Sequence, residues 1–448
     1  MEKLWAKKAK LNSLIEEFTI GEDKETDLHL AKWDVLGSIA HVKMLHQVEL
    51  IEDYECELIL NELSHLLLLI KTNQFKIDDG VEDVHSQIES LLVKKLGAIG
   101  KKIHTGRSRN DQVLLDIRLY MRNELEKIIK HIQSLFNAFI SKSNQYKNAE
   151  MPGYTHLQIA MPSSFGLWFG AFAESLLDDL HQMKSAFDLV NKNPLGSAAG
   201  YGSSFPVCRE TTTKLLGFDD FNYNVIYAQW SRLKVETAVM SALSSVATTI
   251  SRFAGDACLF MCGNFGFIEL PDEYITGSSI MPHKKNPDAF EILRGKMNDI
   301  KVHLFRLISN TNNLNTGYFR EYQLLKKPLI DSFEEMKECL KISKILVDEI
   351  IIKENIMDNE IYHQIYSVDE IDVEVRNGAP FREAYHIVSE KLKNKKALKP
   401  NKIKHSLLGS KDNLCNDRIE SNFNKILSRF PFEKIKTAYS DLMAYSMV

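Results

Sequence analysis

The densest run of chemically useful side chains is Gly277, Ser278, Ser279, Ile280, Met281, Pro282, His283, Lys284, Lys285, Asn286, Pro287, Asp288. A glycine hinge, two hydroxyls, two ammonium groups, an amide side chain and the N–H groups of a small-residue turn can surround an anion, and such a loop can move. The order GxxxxGK[ST] is absent, and so is GxGxxG, which weakens a nucleotide-phosphate reading. The same composition also suits a plain capped turn, with solvated lysines, leading into a helix from about Ala289. A second cluster, Gly153-Tyr154-Thr155-His156-Leu157-Gln158, puts a hydroxyl beside an imidazole just after a proline-glycine break. Histidine exchanges a proton near neutral pH, although a lone histidine is more often structural. The third cluster runs from His104 to Gln112 (HTGRSRNDQ). Arg107, Arg109 and Asn110 near a helix start suit a carboxylate ligand, because helix amides and a guanidinium fork both favour negative charge; local pairing of the arginines is the competing reading.

Other chemistries have less support. Cys258 and Cys262 are four apart with no histidine pair nearby, so buried structural thiols are expected in place of a metal site. No GxSxG elbow appears, which disfavours a serine hydrolase.

These clusters need elements to hold them. Proline is absent before Pro152, between Pro206 and Pro271, and between Pro287 and Pro328, leaving long stretches free to be helical. In the middle stretch Val239, Leu243, Val246, Ile250, Phe253, Ala257 and Phe260 recur at alternating spacings of about 4 and 3, a heptad seam. Between Glu236 and Glu269 the only charges are Arg252 and Asp256, and small residues fill most other positions. A helix over about 229–263 with so little surface for water belongs inside a multi-helix bundle, buried by neighbouring subunits or, as the competing reading, internal to a large monomer. Residues 28–50 read as a helix, and a long amphipathic helix runs onward from Asp111, with Asn110 or Asp111 near its start. Strand alternation is scarce and no NG or DG hairpin signal is seen. The expected fold class is all-α.

Composition narrows the function classes. Glycine and proline make up 32 of 448 residues, about 7% against roughly 12% on average, which also favours helix. The net charge is -4, without a long block of like charge, so non-specific nucleic-acid binding is disfavoured. The basic stretch 391–405 reads as solvated surface. Six scattered cysteines read as reduced thiols, and the charged start KLWAKKAK allows no signal-peptide core. The longest strongly apolar run, Leu63 to Ile70, is too short to span a membrane. A soluble cytoplasmic protein is expected.

Taken together, the three clusters resemble the signature regions of the fumarase/aspartase superfamily, whose GSSxMPxKxN loop reads GSSIMPHKKN here. Within it, HTGRSRNDQV, GYTHLQ, GSAAGYGSSFP, SSIMPHKKNPD and GAPFREAYHIV resemble the argininosuccinate lyases, and HTGRSRNDQV is the specific element. The resemblance runs from about Trp33 to Ile387. It implies a three-domain fold with a central long-helix bundle forming the core of a homotetramer: an N-terminal helical domain over 1–106, the bundle over 107–355, and a C-terminal helical domain over 356–448. It further implies active sites shared between subunits and cofactor-free, metal-free elimination of fumarate from argininosuccinate to give arginine.

That reaction takes a proton from carbon beside a carboxylate while the departing guanidino nitrogen gains one. Two proton carriers and a cradle for the extra charge are needed. By resemblance the carriers are His156 and Ser278, in either direction, and Glu291 orients the histidine across a subunit boundary. The implied substrate contacts are Arg109, Asn110 and Thr155, with Lys284 and Asn286 for the succinyl carboxylates. Tyr318, Gln323 and Lys326, in TGYFREYQLLKKP, would reach the arginine portion. Four departures stand out: the GGRF that commonly follows KLW is missing, 21–23 lacks a serine that often touches substrate, His283 replaces a common Gln and Tyr322 a common Leu. Another fumarate-forming enzyme, such as an adenylosuccinate lyase, would yield fumarate from a different substrate. A structural relative, as the lens δ-crystallins are, or a ligand sensor would release none.

Overall fold

The computed structural model describes residues 12–394 and 403–444. Five long helices form its centre. α1 (Ser13–Ile20), α2 (Asp23–Leu28), α3 (Ala31–Gln47), α4 (Asp53–Lys71) and α5 (Val84–Leu96) precede α6 (Arg109–Gln145). At 1.5 Å per residue α6 is about 55 Å long. After it come α7 (Phe165–Val190), the short α8 (Arg209–Leu215) and α9 (Val225–Trp230), then α10 (Lys234–Met261), α11 (Asp288–Asn310) and α12 (Lys326–Glu349). α6 packs on α7, α7 on α10, α10 on α11, α11 on α12 and α12 back on α6, which closes a five-helix bundle.

All seven seam residues of α10 are buried, Val239, Leu243 and Val246 completely, as the spacing required. Ser241, Thr248 and Arg252 on the opposite side are exposed. The helix begins later than its pattern suggested, because Leu233 has φ of 61° and separates it from α9. α6 begins earlier than expected: Ser108 is its N-cap, accepting from the amide of Asp111, so Asn110 and Asp111 lie inside the first turn.

The all-α expectation holds, with one substantial exception. β1 (Glu150–Thr155) and β2 (Gln158–Ser164) form an antiparallel hairpin where no hairpin signal was found. The remaining named strands among the described residues are two residues long.

Beyond the bundle, α13 (Ser367–Arg376) and α14 (Phe381–Lys393) pack on each other around Ile371, Ala384 and Val388. α15 (Asn416–Leu427) returns to the bundle, where Phe423 stacks on Phe136 with ring centroids 3.8 Å apart. α16 (Phe432–Ala444) packs against α8. Its Tyr439 accepts a hydrogen bond from the fully buried Arg122 of α6, whose guanidinium also donates to Asn191 and the carbonyl of Leu216 and lies 4.3 Å from the Phe218 ring. No helix among the described residues is long and apolar enough to cross a membrane. The KLWAKKAK segment and most of the basic stretch 391–405 lie outside the described residues.

Candidate active site

The expected site residues fall into three places. The first is a cavity of about 120 Å³ where α2, the start of α5, the start of α6 and the turn before α12 meet. Arg109, Asn110, Tyr318, Gln323 and Lys326 all line it. A larger cavity of about 700 Å³, between α3, α4, α8 and α16, contains none of the expected residues.

Sequence reasoning missed the acidic half of this cavity. Asp27, Glu82, Asp83 and His85 line it together with Arg232 and Arg320. Arg109 donates to Glu82 at 3.3 Å and to Asp83, while Arg320 reaches Glu82 at 2.8 Å. Burial pulls the Glu82 carboxyl upward, but the two guanidinium groups outweigh it and hold the group below its ordinary range. Asp83 also caps α5, accepting from the amide of Ser86 at 2.8 Å. The sequence EDVH at 82–85, acids and a histidine around a helix start, was the available signal.

One expectation needs correction. Arg107 is not poised for a ligand: it is buried and donates to Ser38 at 3.1 Å, among the carboxylates of Asp34, Asp111 and Asp116. Lys326 reaches the cavity already paired. Only 4% exposed, it sits 2.7 Å from Asp23 and 2.6 Å from Asp27. Burial alone would lower its pKa, and the two carboxylates reverse that to leave it raised. Thus Asp23, in the segment where a serine was missing, is engaged with a residue expected to meet substrate. Tyr322, another departure, is buried and its carbonyl accepts from Arg232 at 2.9 Å.

The second place is the tip of the β1–β2 hairpin. Thr155 pairs with Gln158, so His156 and Leu157 are the two turn residues, with φ of 53° and 58°. Two consecutive positive φ values define the turn that suits a hairpin's twist, and Asn-Gly is its usual sequence. His-Leu pays steric strain there, of the kind that gathers at functional sites. The turn holds the imidazole in the open: Thr155, His156 and Leu157 are all exposed.

The third place is the 277–288 loop. Thr276–Gly277 pairs antiparallel with Lys285–Asn286, which pinches the loop into a short hairpin. Asn286 donates to the carbonyl of Gly277 at 3.2 Å, and Thr276 bonds Asp288. Inside the pinch, the amides of Ile280 and Met281 donate to Ser278 Oγ at 3.3 and 3.0 Å. Two N–H dipoles aimed at one hydroxyl oxygen favour its anionic form. Lys284 and Glu291 are exposed, Glu291 in the first turn of α11.

Neither His156 nor the loop residues line the cavity, so one chain presents the three parts on separate elements. Cys258 and Cys262, expected to be buried, are half-buried here. A buried group, Asp34, His85 and Asp116, places three ligand-type atoms within 4.8 Å of one another behind the cavity.

A family model described as Lyase matches residues 3–301. The argininosuccinate lyase of Phocaeicola vulgatus is 51% identical over 442 residues, covering 99% of each chain. That of Bacteroides thetaiotaomicron is 49% identical with the same coverage, and that of Thermotoga neapolitana 41% identical over 87% of this chain and 98% of its own. Among solved structures, EDDS lyase in complex with formate superposes with a TM-score of 0.77 at 23% identity, covering 98% of this chain and 96% of that one. A class II fumarase from Schistosoma mansoni gives 0.71 at 17% identity, over 93% and 95% of the two chains. At those identities the structures speak for the fold alone.

Proposed function

The chain belongs to the argininosuccinate lyases of the fumarase/aspartase superfamily, and on that premise we propose how its side chains divide the work. It is a carbon–nitrogen lyase that eliminates fumarate from argininosuccinate and leaves L-arginine, the last step of arginine biosynthesis.

The observation that carries the assignment is the pair of amides on Ser278 Oγ. A serine is a feeble base unless its oxyanion is stabilised, and this loop supplies that stabilisation from its own backbone. Ser278 therefore takes the proton from the carbon beside the succinyl carboxylate, and His156 gives one to the departing guanidino nitrogen. Lys284 and Asn286 hold the succinyl carboxylates as charge builds on them. Glu291 is a positioning residue for His156, supplied across a subunit boundary. Arg109, Asn110, Tyr318, Gln323 and Lys326, with Thr155 at the hairpin tip, hold the rest of the substrate.

Since no single chain gathers these three parts, the working unit is a homotetramer with sites shared between subunits. Ile292, Val302, Phe305 and Ile308 support this reading, exposed apolar residues along α11 of a kind that association buries. The proposed division is 1–106, 107–355 and 356–448, and the proposed compartment is the cytoplasm.

Fumarate absorbs in the ultraviolet, so its appearance tests the reading directly. Purified protein should release it from argininosuccinate and not from adenylosuccinate, aspartate or malate. Fumarate from adenylosuccinate in place of argininosuccinate would move the substrate assignment elsewhere in the superfamily.

A further inference from the structure

His85 borders the cavity, yet none of the roles above uses it. Its ring is fixed from behind. Nδ1 lies 2.5 Å from Asp34 Oδ2 on α3 and 3.4 Å from Asp116 Oδ2 on α6, and all three side chains are buried. Gln112 adds a donor to the same Asp34 oxygen at 3.4 Å, and Asp116 Oδ2 has no hydrogen bond of its own. With Nδ1 committed to these carboxylates, Nε2 is the ring nitrogen left to meet what enters the cavity.

We propose that His85 is a substrate-binding residue, presenting Nε2–H as a charged donor to the α-carboxylate of the arginine portion. This rests on the reading of the cavity as the arginine-portion site.

Charge arithmetic within the cavity supports the assignment. Its other cations are already engaged: Arg109 and Arg320 with Glu82 and Asp83, Lys326 with Asp23 and Asp27, Arg232 with Glu236. An imidazolium differs from these groups in splitting its two donors between opposite ring edges. One edge can be spent on a buried carboxylate while the other stays available. The cavity's acids, Asp27, Glu82 and Asp83, are held by those same cations, which leaves the Nε2 edge of His85 to meet the one anionic end of arginine, its α-carboxylate.

Burial alone would drive a histidine here towards neutrality. The hydrogen bond and charge of Asp34, followed by the charges of Asp116 and Asp27, reverse this and hold the imidazole above its ordinary range. A metal ion is the competing use of three ligand-type side chains. Against it, the charge of the buried Arg107 acts on both Asp34 and Asp116, and burial beside Asp34 pushes the Asp116 carboxyl well above its ordinary range, so the group offers a metal ion less negative charge than two carboxylates would.

The test compares arginine with agmatine, which lacks only the carboxylate, by calorimetric titration of the intact enzyme. Wild type should bind arginine more tightly. His85→Asn keeps an amide donor for Asp34 and puts nothing at Nε2. It should weaken arginine about 10- to 100-fold, the range of a charge-assisted hydrogen bond, and leave agmatine within about twofold. Asp34→Asn, which spares the ring but removes its counter-charge, should weaken arginine by less and again spare agmatine. Equal weakening of both ligands by His85→Asn would make the residue structural and overturn the proposal, as would no change in either. One divalent metal per chain in wild type, lost from His85→Asn, would overturn it in favour of a cation site. If Gln323→Ala and Asn110→Leu leave arginine binding intact, the cavity assignment itself fails, which is a separate result from failure at His85.

Discussion

In the cavity, Glu82, Asp83, Arg109, Arg320, Asp27 and Lys326 are bonded to one another before any ligand arrives. His156 and the Ser278 loop, by contrast, stand on exposed turns, and the ties that shape them come from their own few residues. On the proposed roles, recognition rests on groups already paired within one chain. The proposed proton carriers stand instead on exposed turns away from that cavity. The difference teaches where each kind of substitution acts: changes at the buried pairs carry a folding cost, whereas exchanging the Ser278 or His156 side chain opens no core contact.

The largest expected effect lies on the exposed side. Ser278→Ala and His156→Asn should each lower kcat by about 100- to 10,000-fold, with the elution volume of the oligomer unchanged. Co-refolding the two inactive proteins should regain activity if sites are shared; none regained from mixed oligomers would count against sharing. Next comes the buried side. Lys326→Met leaves Asp23 and Asp27 without their cation and should cost about 3 to 5 kcal/mol in denaturant unfolding. Its exposed counterpart, Lys285→Met, breaks the pair with Asp272 and should leave the unfolding midpoint where it was.

A smaller, pH-dependent effect arises at Asp111, whose carboxyl burial pushes up to about 6 although Ser197 and the amides of Gly196 and Ser197 donate to it. A raised carboxyl means the folded state holds a proton that the unfolded chain has lost. Its contribution to stability is therefore fully present below the ordinary aspartate range, about pH 4, and disappears as pH rises through about 6. The swing is up to about 3 kcal/mol. Asp111→Asn should flatten that part of a Tm-against-pH curve; an unaltered slope would place the titration elsewhere. The smallest effect returns to the hairpin tip. Leu157→Gly removes a side chain from a left-handed position and should stabilise the protein by about 1 kcal/mol, read as a rise in Tm.

Much of the fold was readable because packing repeats locally. The α10 seam recurs every 3.5 residues, and each of its seven members is buried. The hairpin escaped because its turn uses His-Leu in place of the glycine or asparagine that adopt left-handed backbone readily. The α6 cap lies two or three residues before the expected Asn110 or Asp111 because Ser, Asn and Asp all suit a helix start, and only the backbone at Ser108 chooses between them. The same limit applied to the cavity. Arg109 and Lys326 were visible as residue types, but their partners lie 26, 27 and about 300 positions away, and pairing at that range leaves no periodicity in the chain.

Arg122 gives this long-range closure a direction in time. Its helix is among the earlier parts of the chain to be synthesised, yet one of the acceptors for its buried guanidinium is Tyr439, 317 residues onward. A ribosome extending the chain at about 5 to 20 residues per second leaves that donor short of an acceptor for some tens of seconds. That acceptor arrives only once α16 has emerged, so a chain truncated before Tyr439 keeps a buried charge one acceptor short, the kind of defect that quality-control proteases act on.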